Sequence, residues 1–281
     1  MRYNIDMWIK KTTGEREEYD PEKIRKTCLR AGASLELADQ VVNMVSARVR
    51  NGSSTRKILE MTLEYLAEKD PLVATKYNLK DAILNMGPDG FAFEILLTEI
   101  FKLHGYKTQN PDILYGACVG HEVDIVASKA SKTYMVECKF HSKIGLYTRI
   151  KDILYSQSRF MDLKEGYKAK TCPINFSQVM LVCNTRFSDD VLKYAKCKNI
   201  RLLSWKYPDK EGLRDLLESK KLYPVTALRS LSKEMFKKLI EHKLVLCRDL
   251  TQLSIKEIQE KIGVNQSKAQ EIYNEAKILI Q

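Results

Sequence analysis

The sequence lacks several features that would assign it to a common class of protein. No apolar run approaches the roughly 20 residues that a membrane-spanning helix requires, and the N-terminal stretch MRYNIDMWIKKTTGEREE has no long apolar core of a signal peptide. The seven cysteines show no CxxC spacing and most lie within apolar runs, so neither a zinc site nor a disulfide framework is indicated. We therefore expect a cytoplasmic protein with no membrane segment.

The chain also lacks a glycine-rich Walker loop, low-complexity tracts and a clear internal repeat. It has ample apolar residues, 44% of 281, which is enough for one large domain or two to three smaller ones. The formal net charge of +11 is typical of proteins that meet polyanions, although many basic proteins have no such partner. This charge favours nucleic acid as a partner.

Changes in periodicity divide the chain into three segments. Residues 1–88 begin with a strand-turn-strand pattern around Gly14 and continue with helices, the first of which starts at Asp20 as N-cap and Pro21 as first helical residue. The Gly- and Pro-containing cluster NMGPDG, residues 85–90, ends this segment. The first segment is predicted to be a compact helical unit led by a hairpin.

The second segment, 89–222, alternates helix and strand patterns, which indicates an α/β sheet covered by helices. The third, 223–281, has short amphipathic helices and ten Lys and Arg residues against seven Asp and Glu. The predicted fold class is therefore a multidomain α/β protein with a small all-α C-terminal domain.

The stretch GHEVDIVASKASKTYMVECKF, residues 120–140, holds two apolar strand patterns that carry carboxylates. Because side chains alternate faces along a strand, Glu137 and Lys139 share one face. The same alternation places Asp124 on one face of the preceding strand and both Val123 and Ile125 on the other. Pairing of the two strands is expected to bring Asp124 beside Glu137.

Two carboxylates that meet at a strand end form a hard oxygen site suited to Mg²⁺ or Mn²⁺, to which the backbone carbonyl of Cys138 would add a third donor. Lys139 would then lie beside the metal, where it could orient or help deprotonate an attacking water and offset charge on a phosphorane-like transition state. An edge strand with a solvated Glu and Lys face is the alternative. It leaves unexplained the carboxylate in the neighbouring strand and Glu94 within the apolar helix 91–103.

These residues resemble the PD-(D/E)xK nuclease superfamily and, within it, the Mrr-like restriction endonucleases. Asp124 followed after twelve residues by Glu-Cys-Lys at 137–139 gives the D-x(n)-E-x-K pattern, and VMLVCNTRFSDDVLKYAKCKNIRLLSW resembles the closing strand-helix-strand of that branch. The resemblance spans most of 91–206 and implies a restriction-endonuclease-like sheet core. It implies catalytic roles for Glu94 as the helical acid and for Gln157, besides the carboxylates and the lysine.

Two stretches of the first segment resemble an ATP-cone domain, the regulatory nucleotide-binding module of ribonucleotide reductases: WIKKTTGEREEYDPEKIRKTCLRAGAS and STRKILEMTLEYLAEKDPLVATKYNLKDA. Lysines are point charges suited to a triphosphate, and isoleucines can pack on a purine, although the lysines alone would also fit a solvated helix face. Since there is no Walker loop, binding without hydrolysis is expected. The residues that the resemblance places in the nucleotide site are Lys10, Lys11, Lys23, Ile24, Thr55 and Lys80.

The C-terminal segment resembles a helix-hairpin-helix domain, with KIGVNQSKAQEI as the hairpin and Gly263 within it. The resemblance implies that backbone N–H groups at a helix N-terminus hold a DNA phosphate and that Lys268 adds charge. A bundle that docks another protein is the alternative.

Together these patterns predict a Mg²⁺- or Mn²⁺-dependent DNA endonuclease regulated by ATP or dATP. Its expected partners are DNA and an adenine nucleotide, and a homodimer is left open. A catalytically inactive, nucleotide-sensing regulator that binds nucleic acid is the alternative from another functional class.

Overall fold

The computed structural model describes residues 7–88, 90–143 and 145–280. The predicted hairpin is present as β1 (Trp8–Lys10) and β2 (Arg16–Glu18), which pair antiparallel across the turn at Gly14. Residues 1–6 of the N-terminal stretch lie outside the described residues. The helices that follow are α1 (Pro21–Arg30), α2 (Leu35–Arg48), α3 (Thr55–Lys69), α4 (Pro71–Tyr77) and α5 (Leu79–Leu84).

The start of α1 follows the predicted capping pattern. The carboxylate of Asp20 accepts a hydrogen bond from the N–H of Glu22 at 2.9 Å, and Pro21 is the first helical residue. The stretch PLVATKYNLKDAIL forms two helices divided at Asn78, whose N–H donates to the carbonyls of both Ala74 and Thr75. Such shared hydrogen bonds are typical of a helix end, and the chain starts a new helix after Asn78.

The central unit contains a five-stranded mixed sheet in the order β3-β6-β7-β8-β9. The first two pairings are antiparallel and the last two are parallel, with a helix in each parallel crossover. Its elements are α6 (Phe91–Leu103), β3 (Lys107–Gln109), β4 (Ile113–Tyr115), β5 (Gly120–Glu122), β6 (Ile125–Lys129), β7 (Lys132–Lys139), α7 (Ile150–Ala169), β8 (Gln178–Cys183), α8 (Asp189–Lys198), β9 (Arg201–Leu203) and α9 (Leu213–Ser219).

Alternating side chains of the strands build a separate apolar core on each face of this sheet. On one face, Val136 packs with Phe93 and other residues of α6. On the other, Met135 packs with Ile153 of α7 and Val191 of α8. This confirms a mixed α/β architecture in which helices cover both faces of the sheet.

The units at the two ends of the chain extend the core on the α6 face. Leu79 and Ile83 of α5 belong to it, as do Val245 and Ile272 from the C-terminal unit. The remaining residues of the first unit form their own core around Ile24. The C-terminal unit consists of a short 3-10 helix (Val225–Ala227), α10 (Lys233–Glu241), α11 (Cys247–Thr251), α12 (Ile255–Ile262) and α13 (Gln266–Ile280).

None of the described helices combines the length and apolar character needed to cross a membrane. The boundaries predicted at 88 and 222 remain sequence predictions, and Asp89 lies outside the described residues. Gly90, the N-cap of α6, has φ +84°, and a Cβ at this position would lie 3.3 Å from the Cβ of Phe140. The start of α6 therefore approaches the end of β7 closely.

Candidate active site and nucleotide cleft

The strand register places the two predicted carboxylates opposite each other. Ile125 pairs with Val136 in the antiparallel ladder of β6 and β7, so the next position along the register aligns Asp124 with Glu137. The Asp124 carboxylate also accepts a hydrogen bond from the N–H of Cys138 at 2.6 Å. The predicted adjacency of the two strands is confirmed.

Two details of the strand prediction need correction. The chain bends at Val123 and Asp124, between β5 and β6, so Val123 packs in the α7 core whereas Ile125 packs in the α6 core. The expectation that these two residues share a face is therefore wrong. The edge-strand alternative also fails, because β7 is the central strand and Glu137 is only 3% exposed.

Glu137 is held by two cations. Lys139 Nζ donates to Glu137 Oε1 at 2.7 Å, and the guanidinium of Arg159 donates to Oε2 at 2.6 Å. Arg159 is buried on α7 and its guanidinium lies 5.2 Å from the ring centroid of Tyr155. A nearly buried carboxylate requires such partners, since an unpaired charge in the interior is costly.

The sequence interpretation missed Arg159. The buried positions Ile153, Ser156, Arg159 and Leu163 recur every three to four residues along α7, a period that could have identified the arginine as facing the sheet. Gln157 lies two positions earlier and off this stripe, and among the described residues no hydrogen bond joins it to either carboxylate. Its catalytic role remains a prediction.

Burial and mutual repulsion set the protonation of the site. Desolvation, followed by the charge of Glu137, raises the pKa of Asp124 to about 6. Desolvation acts to lower the pKa of Lys139, but the adjacent Glu137 and then Asp124 outweigh it and raise that pKa. Lys139 therefore stays a cation at neutral pH, which fits charge stabilisation rather than the abstraction of a proton.

Glu94 belongs to the same electrostatic environment. Its charge, with those of Asp124 and Glu137, contributes to a raised pKa of the partly buried Cys138 thiol, after desolvation as the main cause. A hydrogen-bond chain links α6 to the bend: Thr98 donates to the carbonyl of Glu94 at 2.9 Å, and Asn110 donates both to Thr98 and to the carbonyl of Asp124. Thr98 and Asn110 are positioning residues that the sequence interpretation did not identify.

The donor set is compatible with a hard divalent cation. Across residues 7–88, 90–143 and 145–280 there is no group of three or more His, Cys, Asp or Glu side chains that could hold a metal ion. The pair formed by Asp124 and Glu137 nevertheless supplies carboxylate oxygens. The pKa of Asp124 is raised first by desolvation and second by the charge of Glu137, and a cation would offset the second cause. With the Cys138 carbonyl, the chemistry of these donors fits Mg²⁺ or Mn²⁺.

His121 has a structural position. Its Nε2 lies 2.7 Å from Asp162 Oδ2 on α7. Although desolvation acts to raise it, hydrogen bonds from His121 and from the N–H groups of Cys118 and Val119 lower the pKa of Asp162 to about 2. This pair fastens the β4–β5 hairpin to α7.

We expect Asp124→Asn to stabilise the protein at neutral pH. The folded-state pKa of about 6 lies above the reference value of 3.8, so protonation favours the folded state below that reference value and this advantage is lost as the pH rises through 6. The asparagine removes the ionised form and keeps an oxygen for the Cys138 N–H. The free energy of unfolding is expected to rise by about 2 kcal/mol at pH 7.5, and this difference from the wild type should vanish near pH 4.

Urea unfolding at several pH values, without divalent cations, measures this effect. Glu122→Gln, at an exposed carboxylate on β5, is the matched control and should change stability little. A wild-type stability equal to that of Asp124→Asn at pH 7.5 would contradict the inferred repulsion.

Only some of the residues predicted to bind the nucleotide line a common cleft. Lys11 and Lys23 both pair with Glu17 of β2, Lys11 at 3.6 Å. The Lys23 hydrogen bond is the main cause that lowers the pKa of Glu17. Lys10 is exposed, and its N–H donates to the Ser53 carbonyl at 2.9 Å, which places β1 beside the start of α3.

Two clefts, of about 520 and 340 Å³, meet at Thr55 and Lys80, which line both. Lys11 lines the larger cleft. Lys10, Lys23 and Ile24 are all among the described residues and line neither. Ile24 lies instead in the core of the first unit, as Ile9 does.

In the C-terminal unit, the predicted hairpin joins α12 to α13 through Gly263, which has φ +68°. The groups predicted to contact phosphate have partners within the chain: the N–H of Lys268 donates to Asn265 Oδ1 and its ammonium group donates to Glu271, both at 2.9 Å. Phosphate binding at this hairpin remains a sequence prediction.

Two family models match the chain: ATP cone domain over residues 7–81, and AF1548-like, C-terminal over residues 223–280. The first match confirms an ATP-cone domain at the N-terminus, a module that indicates regulation by a bound adenine nucleotide.

A protein of Archaeoglobus fulgidus named "Uncharacterized protein" is 40% identical to the chain over 184 residues, which are 66% of this chain and 99% of that protein. The crystal structure of the protein of unknown function AF1548 is 38% identical, with a TM-score of 0.59, over 68% of this chain and 97% of that one. The similarity therefore covers nearly the whole length of each of these relatives and about two thirds of this chain.

Proposed function

The chain belongs to the AF1548-like family, and we propose that it is a metal-dependent DNA endonuclease of the PD-(D/E)xK type, regulated by ATP or dATP at its ATP-cone domain. The observation that carries the proposal is the alignment of Asp124 with Glu137 at the end of the central strand, with Lys139 Nζ 2.7 Å from Glu137. Two carboxylates at one strand end can hold a divalent cation, and a lysine beside them can stabilise the negative charge that develops when a phosphodiester is hydrolysed.

Asp124, Glu137 and the carbonyl of Cys138 would hold Mg²⁺ or Mn²⁺. A divalent cation bound there would lower the pKa of a water molecule and polarise the phosphate. The chain's own cations have separate roles: Arg159 fixes the orientation of Glu137, and Lys139 stabilises negative charge that develops on the phosphate.

The ATP-cone would bind nucleotide without hydrolysing it. Thr55 at the start of α3 and Lys80 of α5 flank the larger cleft, where Lys11 also lies. Lys11 and Lys23 share Glu17, so a triphosphate that recruited either lysine would exchange one anionic partner for another. The affinity for the nucleotide would then reflect the difference in free energy between the lysine–phosphate pair and the lysine–Glu17 pair.

DNA would approach the active site between the central and C-terminal units. A cleft of about 420 Å³ is lined by Phe91 of α6, Ser142 from the segment after β7, and Lys233 and Lys237 of α10. Both lysines are exposed, and the cleft that they line also includes Ser142, three residues after the end of β7. They are suited to phosphate contacts that position a duplex without reading its sequence.

We expect a Lys233→Ala/Lys237→Ala variant to bind duplex DNA more weakly, with a reduced salt dependence. Each lost phosphate contact lowers the slope of log K against log salt concentration by about 0.9. Fluorescence anisotropy with a labelled duplex measures both quantities. Lys277→Ala, on α13 and outside this cleft, is the control, and an unchanged slope in the double variant would exclude α10 from the DNA interface.

A nucleotide-sensing regulator without catalytic activity is the second candidate. The observation that favours it is the engagement of both Glu137 oxygens by cations, because these pairs compete with a metal for the same carboxylate. The two candidates differ in their need for a divalent cation.

Binding of Mn²⁺, measured by calorimetry and electron paramagnetic resonance, separates the two candidates. The endonuclease proposal predicts a site whose affinity falls at least about tenfold in Glu137→Gln, while Glu122→Gln binds like the wild type. If wild type and Glu137→Gln bind Mn²⁺ equally, or if neither binds it, the regulator becomes the better account.

A further inference from the structure

The larger cleft is built by two units of the chain. The ATP-cone contributes Thr55 and Lys80, and the central unit contributes Arg186 from the segment after β8 and Lys206 from the segment after β9. The resemblance to the ATP-cone family assigns none of the residues from the central unit.

Three cations line this cleft besides Lys11, whose ammonium group pairs at 3.6 Å with Glu15, the carboxylate of the cleft wall. Within the described part of the chain, no ion pair with a carboxylate is formed by Lys80, Arg186 or Lys206. Desolvation lowers the pKa of Lys80, and the charges of Lys206 and Arg186 add to this effect against the opposing charge of Asp81. The cluster therefore carries repulsion that a bound polyanion would relieve.

We infer that the nucleotide site is composite: Arg186 and Lys206 of the central unit bind the triphosphate of ATP or dATP together with Lys80 and Thr55 of the ATP-cone. Arginine and lysine are the usual donors to phosphate oxygens, and a triphosphate carries enough charge to engage all three cations. This inference rests on the proposed nucleotide regulation and adds to it the surface of the central unit that binds the triphosphate.

A composite site explains how nucleotide binding could affect the active site. Lys80 lies on α5, whose neighbouring residues Leu79 and Ile83 are buried in the core of the α6 face. The guanidinium of Arg186 lies 5.3 Å from the ring centroid of Tyr147, which belongs to the segment between Lys139 and α7. A nucleotide bound to these cations would therefore be linked to α5 through Lys80 and to this segment through Arg186.

The two units also touch near the cleft. Gly145 has φ +92°, and a Cβ at this position would lie 2.8 Å from Thr13 in the turn of the β1–β2 hairpin. The segment that follows Lys139 thus packs against the ATP-cone, and glycine permits both the backbone conformation and the close approach. Rearrangement at the nucleotide would be transmitted to this contact.

Calorimetry of ATP and dATP binding to the full-length chain tests the inference. The variants are Arg186→Ala, Lys206→Ala and the ATP-cone variant Lys80→Ala, with Lys196→Ala, an exposed lysine of α8 outside the cleft, as control. We expect Arg186→Ala and Lys206→Ala each to weaken binding about tenfold or more, as the loss of a charge-assisted hydrogen bond does. Because both side chains are exposed, thermal unfolding should be nearly unchanged.

Three outcomes decide the matter. Weaker binding in both central-unit variants and in Lys80→Ala supports the composite site. Weaker binding in Lys80→Ala alone overturns the composite site and leaves nucleotide binding by the ATP-cone intact. A wild-type chain that binds no adenine nucleotide overturns both the inference and the proposed regulation.

Discussion

Lys139→Met is expected to lower the rate of DNA cleavage by about 10²- to 10³-fold, the usual cost of removing one preorganised group that stabilises transition-state charge. The side chain keeps its length but loses the ammonium group that lies 2.7 Å from Glu137 Oε1. Because the pKa of Lys139 is raised, Lys139 acts as a cation. The pH–rate profile of the wild type should therefore show no change near neutral pH that corresponds to deprotonation of Lys139. Metal affinity should change far less than the rate.

Single-turnover cleavage at saturating Mg²⁺ measures this loss. Lys132→Met, at the exposed start of the same strand, is the control because it removes an equal charge away from the carboxylates. A Lys139→Met protein that cleaves like Lys132→Met would remove Lys139 from the catalytic machinery.

Arg159→Met is expected to destabilise the protein by about 3 kcal/mol, because it leaves Glu137 buried with one cation instead of two. Methionine fills much of the volume of the arginine, so the loss reflects charge more than a cavity. The double variant Arg159→Met/Glu137→Gln should recover most of this stability, since it removes the buried carboxylate and leaves without its partner only Lys139, whose side chain is partly exposed to water.

Equilibrium unfolding in urea of the two single variants and the double variant gives the coupling energy. Arg149→Met, at the N-cap of α7, is the control for the loss of an arginine near the same helix. Additive effects of the two changes would show that Arg159 supports the fold by packing alone.

Local patterns account for much of what could be predicted from the sequence. The apolar run around Glu137 identified β7, and the alternation of side chains along a strand identified the face that Glu137 shares with Lys139. The Asp20–Pro21 start of α1 was predicted for a similar reason, since capping depends on a few adjacent residues.

Features that depend on distant contacts were not predicted. The bend at Asp124 reverses the face of Val123, because the hydrogen bonds from Asn110 and Cys138 hold the chain there and neither is adjacent in sequence. The burial of Arg159 was not predicted because an arginine on an amphipathic helix is usually solvated. Arg159 is buried because it pairs with Glu137 of β7, a contact that the sequence of α7 does not show. The cleft between the ATP-cone and the central unit depends on how α5 joins the shared core, which no local pattern reports.

The central claim is that Asp124 and Glu137 support metal-dependent hydrolysis of DNA. Its most direct test is the conversion of supercoiled plasmid by the purified full-length chain with Mg²⁺, Mn²⁺ or EDTA, compared with Glu137→Gln purified in the same way. The account predicts cleavage that requires the metal and disappears in Glu137→Gln, while the variant still binds DNA. Cleavage by Glu137→Gln at the wild-type rate, or no cleavage by the wild type with either metal, would contradict it.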